Sequence, residues 1–174
     1  MQRVAIFGTT GSGKSWLAER LSSRTGLRVV ELDALYWGRD WQPATPELFR
    51  HRVECELSEP GWIVVGNYGQ VRDLTWRDAD TLVWLDLPLP LVMWRLARRT
   101  VRRVATREDL WGTGNRESLS TLFGRQSILL WALKTHRRNR ERFARDCDQM
   151  RDGKRVVRLS NSRAIERFAV SPLP

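Results

Sequence analysis

Gly8-Thr9-Thr10-Gly11-Ser12-Gly13-Lys14-Ser15 is the stretch that decides the fold. It meets the pattern GxxxxGK[ST] at every fixed position. The apolar run Val4-Ala5-Ile6-Phe7 precedes it, and a helical pattern with Trp16, Leu17 and Leu21 on one face follows. Small residues let a tight turn wrap its backbone N–H groups around a phosphate, and the next helix points its positive end at the same spot. The lysine then reaches the outer phosphates, and the hydroxyl after it ligates magnesium. The octapeptide predicts a strand, a phosphate loop and a helix. Nucleotide is expected at Gly8, Thr10, Gly11, Ser12, Gly13, Lys14, Ser15 and Trp16.

Outward from the loop, strand and helix patterns alternate. Strands are expected over 3–8, 27–32, 62–66, 81–87 and 155–159. Helices are expected over 13–24, 45–58, 89–104, 117–136, 137–150 and 162–168. Thr45 and Pro46 read as N-cap and first helical residue, and Pro60-Gly61 as the following break. The run Trp62–Gly66 is apolar throughout, as a central parallel strand should be. Such alternation means an α/β fold with a parallel sheet. The expected organisation is one domain over 1–174, with a helical lid at about 100–140.

Composition narrows the class. The 174 residues are 41% hydrophobic and 29% charged, a globular balance. No run approaches the roughly 18 apolar residues of a membrane span, and the N-terminal apolar stretch is too short for a signal peptide. A cytoplasmic protein without membrane attachment is expected. Cys55 and Cys147 form no CxxC pair and the two histidines are scattered, so a Cys/His metal site is not expected. Cys55 reads as a small core residue. The net charge of +10 is nearly all arginine, clustered at 95–107 and 137–145. Either a nucleic-acid surface or a need to handle phosphates explains it.

Ligands in open α/β sheets lie beyond the carboxyl ends of the strands. Glu31 and Asp33 flank Leu32 there, and alternate strand positions would put both carboxylates on one side. One could hold a magnesium-bound water, and the other could take a proton from an attacking hydroxyl. The third strand ends in Gly66-Asn67-Tyr68-Gly69, where Asn67 can hydrogen-bond a substrate and Tyr68 can stack on a base or sugar. Arg95, Arg99, Arg102 and Arg103 recur at helical spacing before the polar loop 106–115, which suits a lid that clamps phosphate. Asp86, at the end of the fourth strand, reads as structural.

On these residues the chain resembles the adenylate-kinase-related P-loop group called topology modulation proteins or adenylate kinase-like proteins. The likeness runs over about residues 3–168. It rests on GTTGSGKS (8–15), ELDALYW (31–37), GWIVVGNYG (61–69), RDLTWRDADTLVWLDLP (72–88) and WRLARRTVRRV (94–104). It implies a nucleoside-monophosphate-kinase-like three-layer sandwich with a five-stranded parallel sheet and a helical lid. It implies ATP and magnesium, with Ser15 and Glu31 on the metal side. Lys14, Asp33, Arg99 and Arg103 would be the catalytic residues. Asp33, Trp37, Asn67, Tyr68 and Arg72 would form the acceptor site, and Arg95, Arg99 and Arg103 would be the lid arginines. Two positions depart from the pattern. Val65 stands where many relatives carry an acid, and Tyr68-Gly69-Gln70-Val71 lacks an arginine whose place Arg72 could take.

The leading expectation is an ATP-dependent small-molecule kinase acting on a nucleoside, a nucleotide or a similar hydroxyl or phosphate acceptor. The alternative is a nucleic-acid-associated ATPase or a regulatory nucleotide-binding protein. Val65 adds a third reading, a nucleotide binder that has lost catalysis.

Overall fold

The computed structural model describes residues 1–118, 127–150 and 153–171. Its strands are β1 (Arg3–Gly8), β2 (Arg28–Glu31), β3 (Trp62–Val65), β4 (Thr81–Leu85) and β5 (Arg155–Leu159). They form one parallel sheet in the order β2-β3-β1-β4-β5. β1 is central, with Ala5 beside Val64 on one flank and Leu82 on the other. A strand there is covered on both faces, so Val4, Ala5, Ile6 and Phe7 are all apolar and buried.

Alternate strand residues feed two cores. Phe7, Val64, Leu82 and Trp84 pack with Phe49 and Val53 of α3 (Pro46–Leu57), Trp76 of α4 (Arg72–Arg77) and Phe143 of α6 (Ile128–Gln149). Val4, Ile6, Val83 and Leu85 pack with Leu17 and Leu21 of α1 (Lys14–Thr25), Val92 of α5 (Leu89–Thr106) and Ile165 of α7 (Ser162–Val170). The result is the expected three-layer α/β sandwich with five parallel strands. Thr45 caps α3 as expected, its Oγ1 accepting from the Leu48 N–H at 3.3 Å, with Pro46 next.

Several local expectations are corrected. β2 stops at Glu31 and the chain turns helical in α2 (Leu32–Tyr36), so Asp33 does not occupy an alternate strand position. Leu32 is the cause. It is buried under Gly66, where a Cβ would lie 2.8 Å from the leucine side chain. β4 ends at Leu85, before Asp86. α6 runs unbroken across His136 and Arg137, where no helix-breaking residue stands. It starts at Ile128 behind an N-cap, Ser127, whose Oγ accepts from the Leu130 N–H at 3.4 Å. Glu117 precedes it without helical structure, and residues 119–126 and Asp152 lie outside the described residues.

Cys55 is exposed, because α3 turns Phe49 and Val53 inward, while Cys147 is the cysteine in the core. Trp16 is also outside, 42% exposed, with the Arg20 guanidinium 5.6 Å over its ring. Among the described residues, no helix is long and apolar enough to cross a membrane.

Candidate active site

The phosphate loop leaves the carboxyl end of β1 with Gly8 at φ 148°. A Cβ there would lie 2.5 Å from the Leu85 carbonyl oxygen of β4, so the loop begins where only glycine fits. The Ser12 N–H donates to the Thr9 carbonyl at 3.1 Å and closes the turn. Gly13, at φ 96°, then launches α1. The first amides of α1 have no carbonyl partner within the helix and point their donors out of the loop. Lys14 Nζ bends back and donates to the carbonyls of Gly8 (3.1 Å) and Thr9 (3.3 Å).

Three side chains from elsewhere fix this loop. Asn67 pairs with the Gly8 peptide: its Oδ1 accepts from the Gly8 N–H at 3.0 Å and its amide donates to the Gly8 carbonyl. Arg95 donates to the Ser12 carbonyl at 3.2 Å and to Ser162 Oγ at 2.9 Å. Thr9 Oγ1 meets His136 Nδ1 of α6 at 3.0 Å, both side chains buried.

Acids face Lys14 from β2 and α2. Burial lowers the Lys14 ammonium from its ordinary value, while Asp33 and Glu31 oppose that shift and Arg99 adds to it. Burial pushes the Glu31 carboxyl above the ordinary carboxylate range. Ser15 and Lys14 oppose the rise, and Asp33 reinforces it. Tyr68 donates its hydroxyl to Asp33 Oδ1 at 2.6 Å. Burial, then the Asp33 charge, raises the Tyr68 phenol. Glu31 and the Ser15 hydroxyl are oxygen donors at the loop mouth, a set that fits magnesium. Among the described residues, no three His, Cys, Asp or Glu side chains cluster. A cation here would therefore keep phosphate and water as its remaining ligands.

α5 brings its arginines to the same place. Arg99 interacts electrostatically with Lys14 and Asp33. Its Nη2 lies 3.6 Å from Glu117 Oε1, and Arg103 Nη1 lies 2.9 Å from the same oxygen. Arg95, Arg99 and Arg103 share one helix. Arg95 nevertheless holds the loop, while Arg99 and Arg103 hold Glu117.

Beyond Asp33, Tyr68 packs on Tyr36 (4.8 Å between ring centroids). Tyr36 packs on Trp37 (4.9 Å), Trp37 on Trp41 (5.8 Å), and Trp41 on Trp111 (6.1 Å). Asn115 ties residues 38–41 to the 107–117 segment, its Oδ1 accepting from the Trp41 N–H at 3.0 Å and its amide donating to the Gly38 carbonyl at 2.8 Å. Arg72 is engaged away from Asp33. It donates to Asp146 of α6 at 2.5 Å and covers the Trp76 ring at 5.0 Å.

The structure thus brings together Gly8 to Ser15, Glu31, Asp33, Tyr68 and Arg99, with Arg103 joined to Arg99 through Glu117. Asn67 has both polar groups on Gly8, and Trp37 is one ring in the aromatic row. Sequence reasoning missed Glu117, Asn115 and His136. All three act across long sequence separations, and no local pattern announces them. Asp86 is the buried structural acid expected of it, with Arg140 Nε at 2.8 Å and Arg158 as a second partner.

No protein-family model matches the chain, and no curated protein matches it in sequence. Solved structures do match it. A sugar kinase from Janibacter sp. HTCC2649, without ligand, aligns over 97% of this chain and 92% of its own, at a TM-score of 0.52 and 17% identity. A gluconokinase from Sinorhizobium meliloti 1021 aligns over 97% and 93%, at 0.51 and 18%. A shikimate kinase from Acinetobacter baumannii, in complex with shikimate, aligns over 97% and 89%, at 0.51 and 14%. At these identities the likeness shows the fold alone, one shared with these three kinases.

Proposed function

We propose that this chain is an ATP-dependent small-molecule kinase. The observation that carries the reading is the set of groups converging on Lys14: a glycine loop at a helix N-terminus behind it, Glu31 and Asp33 before it, and Arg99 beside it. The kinase neighbours, named for a sugar, gluconate and shikimate, add support at the level of the fold.

In this reading the loop amides and Lys14 hold the donor's β- and γ-phosphates, Lys14 exchanging two carbonyls for phosphate oxygens. Ser15 and Glu31 would hold magnesium, which would offset phosphate charge. Asp33, with Oδ1 engaged by Tyr68, has Oδ2 to take the acceptor's proton. The acceptor oxygen forms its bond to the γ-phosphorus as the bond to the β-phosphate oxygen breaks. Arg99 and Arg103 offset the charge that spreads over the transferring group. Arg95 joins the loop to a hollow of about 600 Å³ lined by Pro88, Leu91, Asn161, Ser162, Arg163 and Arg167, which suits the donor's nucleoside. The described parts of the 100–140 region serve as the lid within a single kinase domain. Arg50, Arg52 and Arg72 are tied to Asp73, the Leu35 carbonyl and Asp146. These commitments favour an uncharged hydroxyl acceptor over one already phosphorylated.

The test is ADP release from Mg-ATP across nucleosides, their monophosphates, sugars and small alcohols. One acceptor should stimulate release, the uncharged member of each pair should outperform its phosphorylated counterpart, and Lys14→Met should abolish the stimulation. Equal release with and without every acceptor would sink the proposal.

A second reading, a nucleic-acid-associated ATPase, draws on α6. Lys134, Arg137, Arg138, Arg140 and Arg145 are all exposed on that helix. A groove of about 400 Å³ beside it is lined in part by Arg137, Arg140 and Arg158.

A further inference from the structure

Glu117 is buried far more deeply than its charge would lead one to expect. Its side chain is 4% exposed, Oε1 serves both Arg99 and Arg103, and Oε2 meets no partner among the described residues. Arg99 Nε is likewise buried and unpartnered. A carboxylate between two guanidiniums offsets the repulsion that would separate them. Arg99 also senses Lys14 and Asp33. It therefore stands between a carboxylate behind and the phosphate site in front, and the spare oxygen and spare N–H leave room for a second pairing.

Asn115 stands two residues upstream, buried, with both ends of its amide on the backbone of residues 38–41. Two residues span at most about 7 Å of chain, so Asn115 cannot shift far without carrying Glu117. Trp41 and Trp111, which touch across the same junction, are held at φ 56° and 57°. Bulky residues seldom adopt that backbone region, and it persists only where surrounding contacts impose it.

We infer that Glu117 holds Arg99 back from the phosphate site, and that Asn115 makes the position of Glu117 depend on the 38–41 loop. Engagement of the acceptor at that loop is thereby felt at the phosphoryl group. The identity of the loop's ligand rests on the kinase reading; the coupling does not. When the loop shifts, Asn115 draws Glu117 with it, and Arg99 passes from carboxylate to phosphate.

The test is a mutant cycle on the affinity of the full chain for a fluorescent ATP analogue with magnesium. The variants are Glu117→Gln, Asn115→Ala, both together, and each in an Arg99→Ala background, with melting temperature recorded for all. Removing the negative charge beside Arg99 should tighten binding roughly fivefold. Asn115→Ala should act in the same direction, the double variant should gain nothing beyond Glu117→Gln, and neither change should matter without Arg99. Additive effects, effects that persist without Arg99, or a lowered melting temperature at unchanged affinity would each overturn the inference. If Glu117→Gln does not fold, Asn115→Ala with and without Arg99 decides alone. In a separate transfer assay, Asn115→Ala should reduce acceptor stimulation of ADP release. If no acceptor stimulates the wild type, the kinase reading fails, and the affinity cycle still decides the coupling.

Discussion

Asn67 reads Gly8 much as a strand partner would, exchanging two hydrogen bonds with one peptide. Asn67→Ala leaves the buried Gly8 N–H unpaired and its carbonyl with Lys14 as partner, at a cost of about 1–3 kcal/mol. The expected result is a lower urea midpoint together with weaker Mg-ATP binding; unchanged binding would show that the loop keeps its shape without the brace. Glu31 gives a prediction of opposite sign. Its raised carboxyl means the folded chain holds that proton more tightly than the unfolded chain. Its contribution to stability is therefore complete below the ordinary carboxylate value and is lost as pH rises through the folded one. Glu31→Gln should melt higher than wild type without nucleotide at pH 7–8, with the gap closing in acid, while magnesium-dependent turnover falls. A lower melting temperature at pH 7 would contradict the assignment. The octapeptide was legible because its chemistry is local. The Asn67–Gly8 pair, 59 residues apart, was not; the glycines on both sides of Asn67-Tyr68 suggested a close approach to a ligand.

At the scale of elements, the strands were the most legible part, since burial on both faces leaves an unbroken apolar run. Helix faces were less so. Trp16 and Trp94 suit an apolar stripe, yet each lies outside under an arginine, Arg20 and Arg98, whose charge stays in water. In sequence α6 divides in two at His136 and Arg137, where the side chains turn from apolar to basic; the backbone does not break there, and Leu130, Trp131 and Leu133 are exposed like the arginines that follow. Its anchor is Phe143, whose ring lies 5.2 Å from Phe7 and 6.3 Å from Trp84. Phe143→Ala should cost about 3–5 kcal/mol in urea unfolding. Because α6 also carries His136 to Thr9, the same variant should weaken nucleotide binding in the molecules that remain folded; intact affinity would separate the helix from the loop it touches.

For the whole molecule, the charge of +10 admits two explanations, and salt distinguishes them. If the α6 face serves nucleic acid, affinity for a single strand or duplex should fall steeply between 50 and 200 mM salt, by about 10³-fold for a protein making six or more phosphate contacts. The kinase reading expects binding too weak to measure at physiological salt. Retention of tight binding there would promote the second reading. A parallel sheet with a phosphate loop at its carboxyl edge was readable, though not the strand order or the ends of β2 and β4; the join between residues 38–41 and 107–117 was not, because it depends on an asparagine that only the folded chain brings within reach. That join carries its own optical label. Two indoles 6.1 Å apart and nearly perpendicular couple electronically, so Trp41 and Trp111 should contribute a paired band to the near-ultraviolet circular dichroism. Its weakening on titration with a prospective acceptor, matched by the loss of the Trp111 contribution in Trp111→Phe while the Trp37–Trp41 pair remains, would report the opening of the junction without any dye attached.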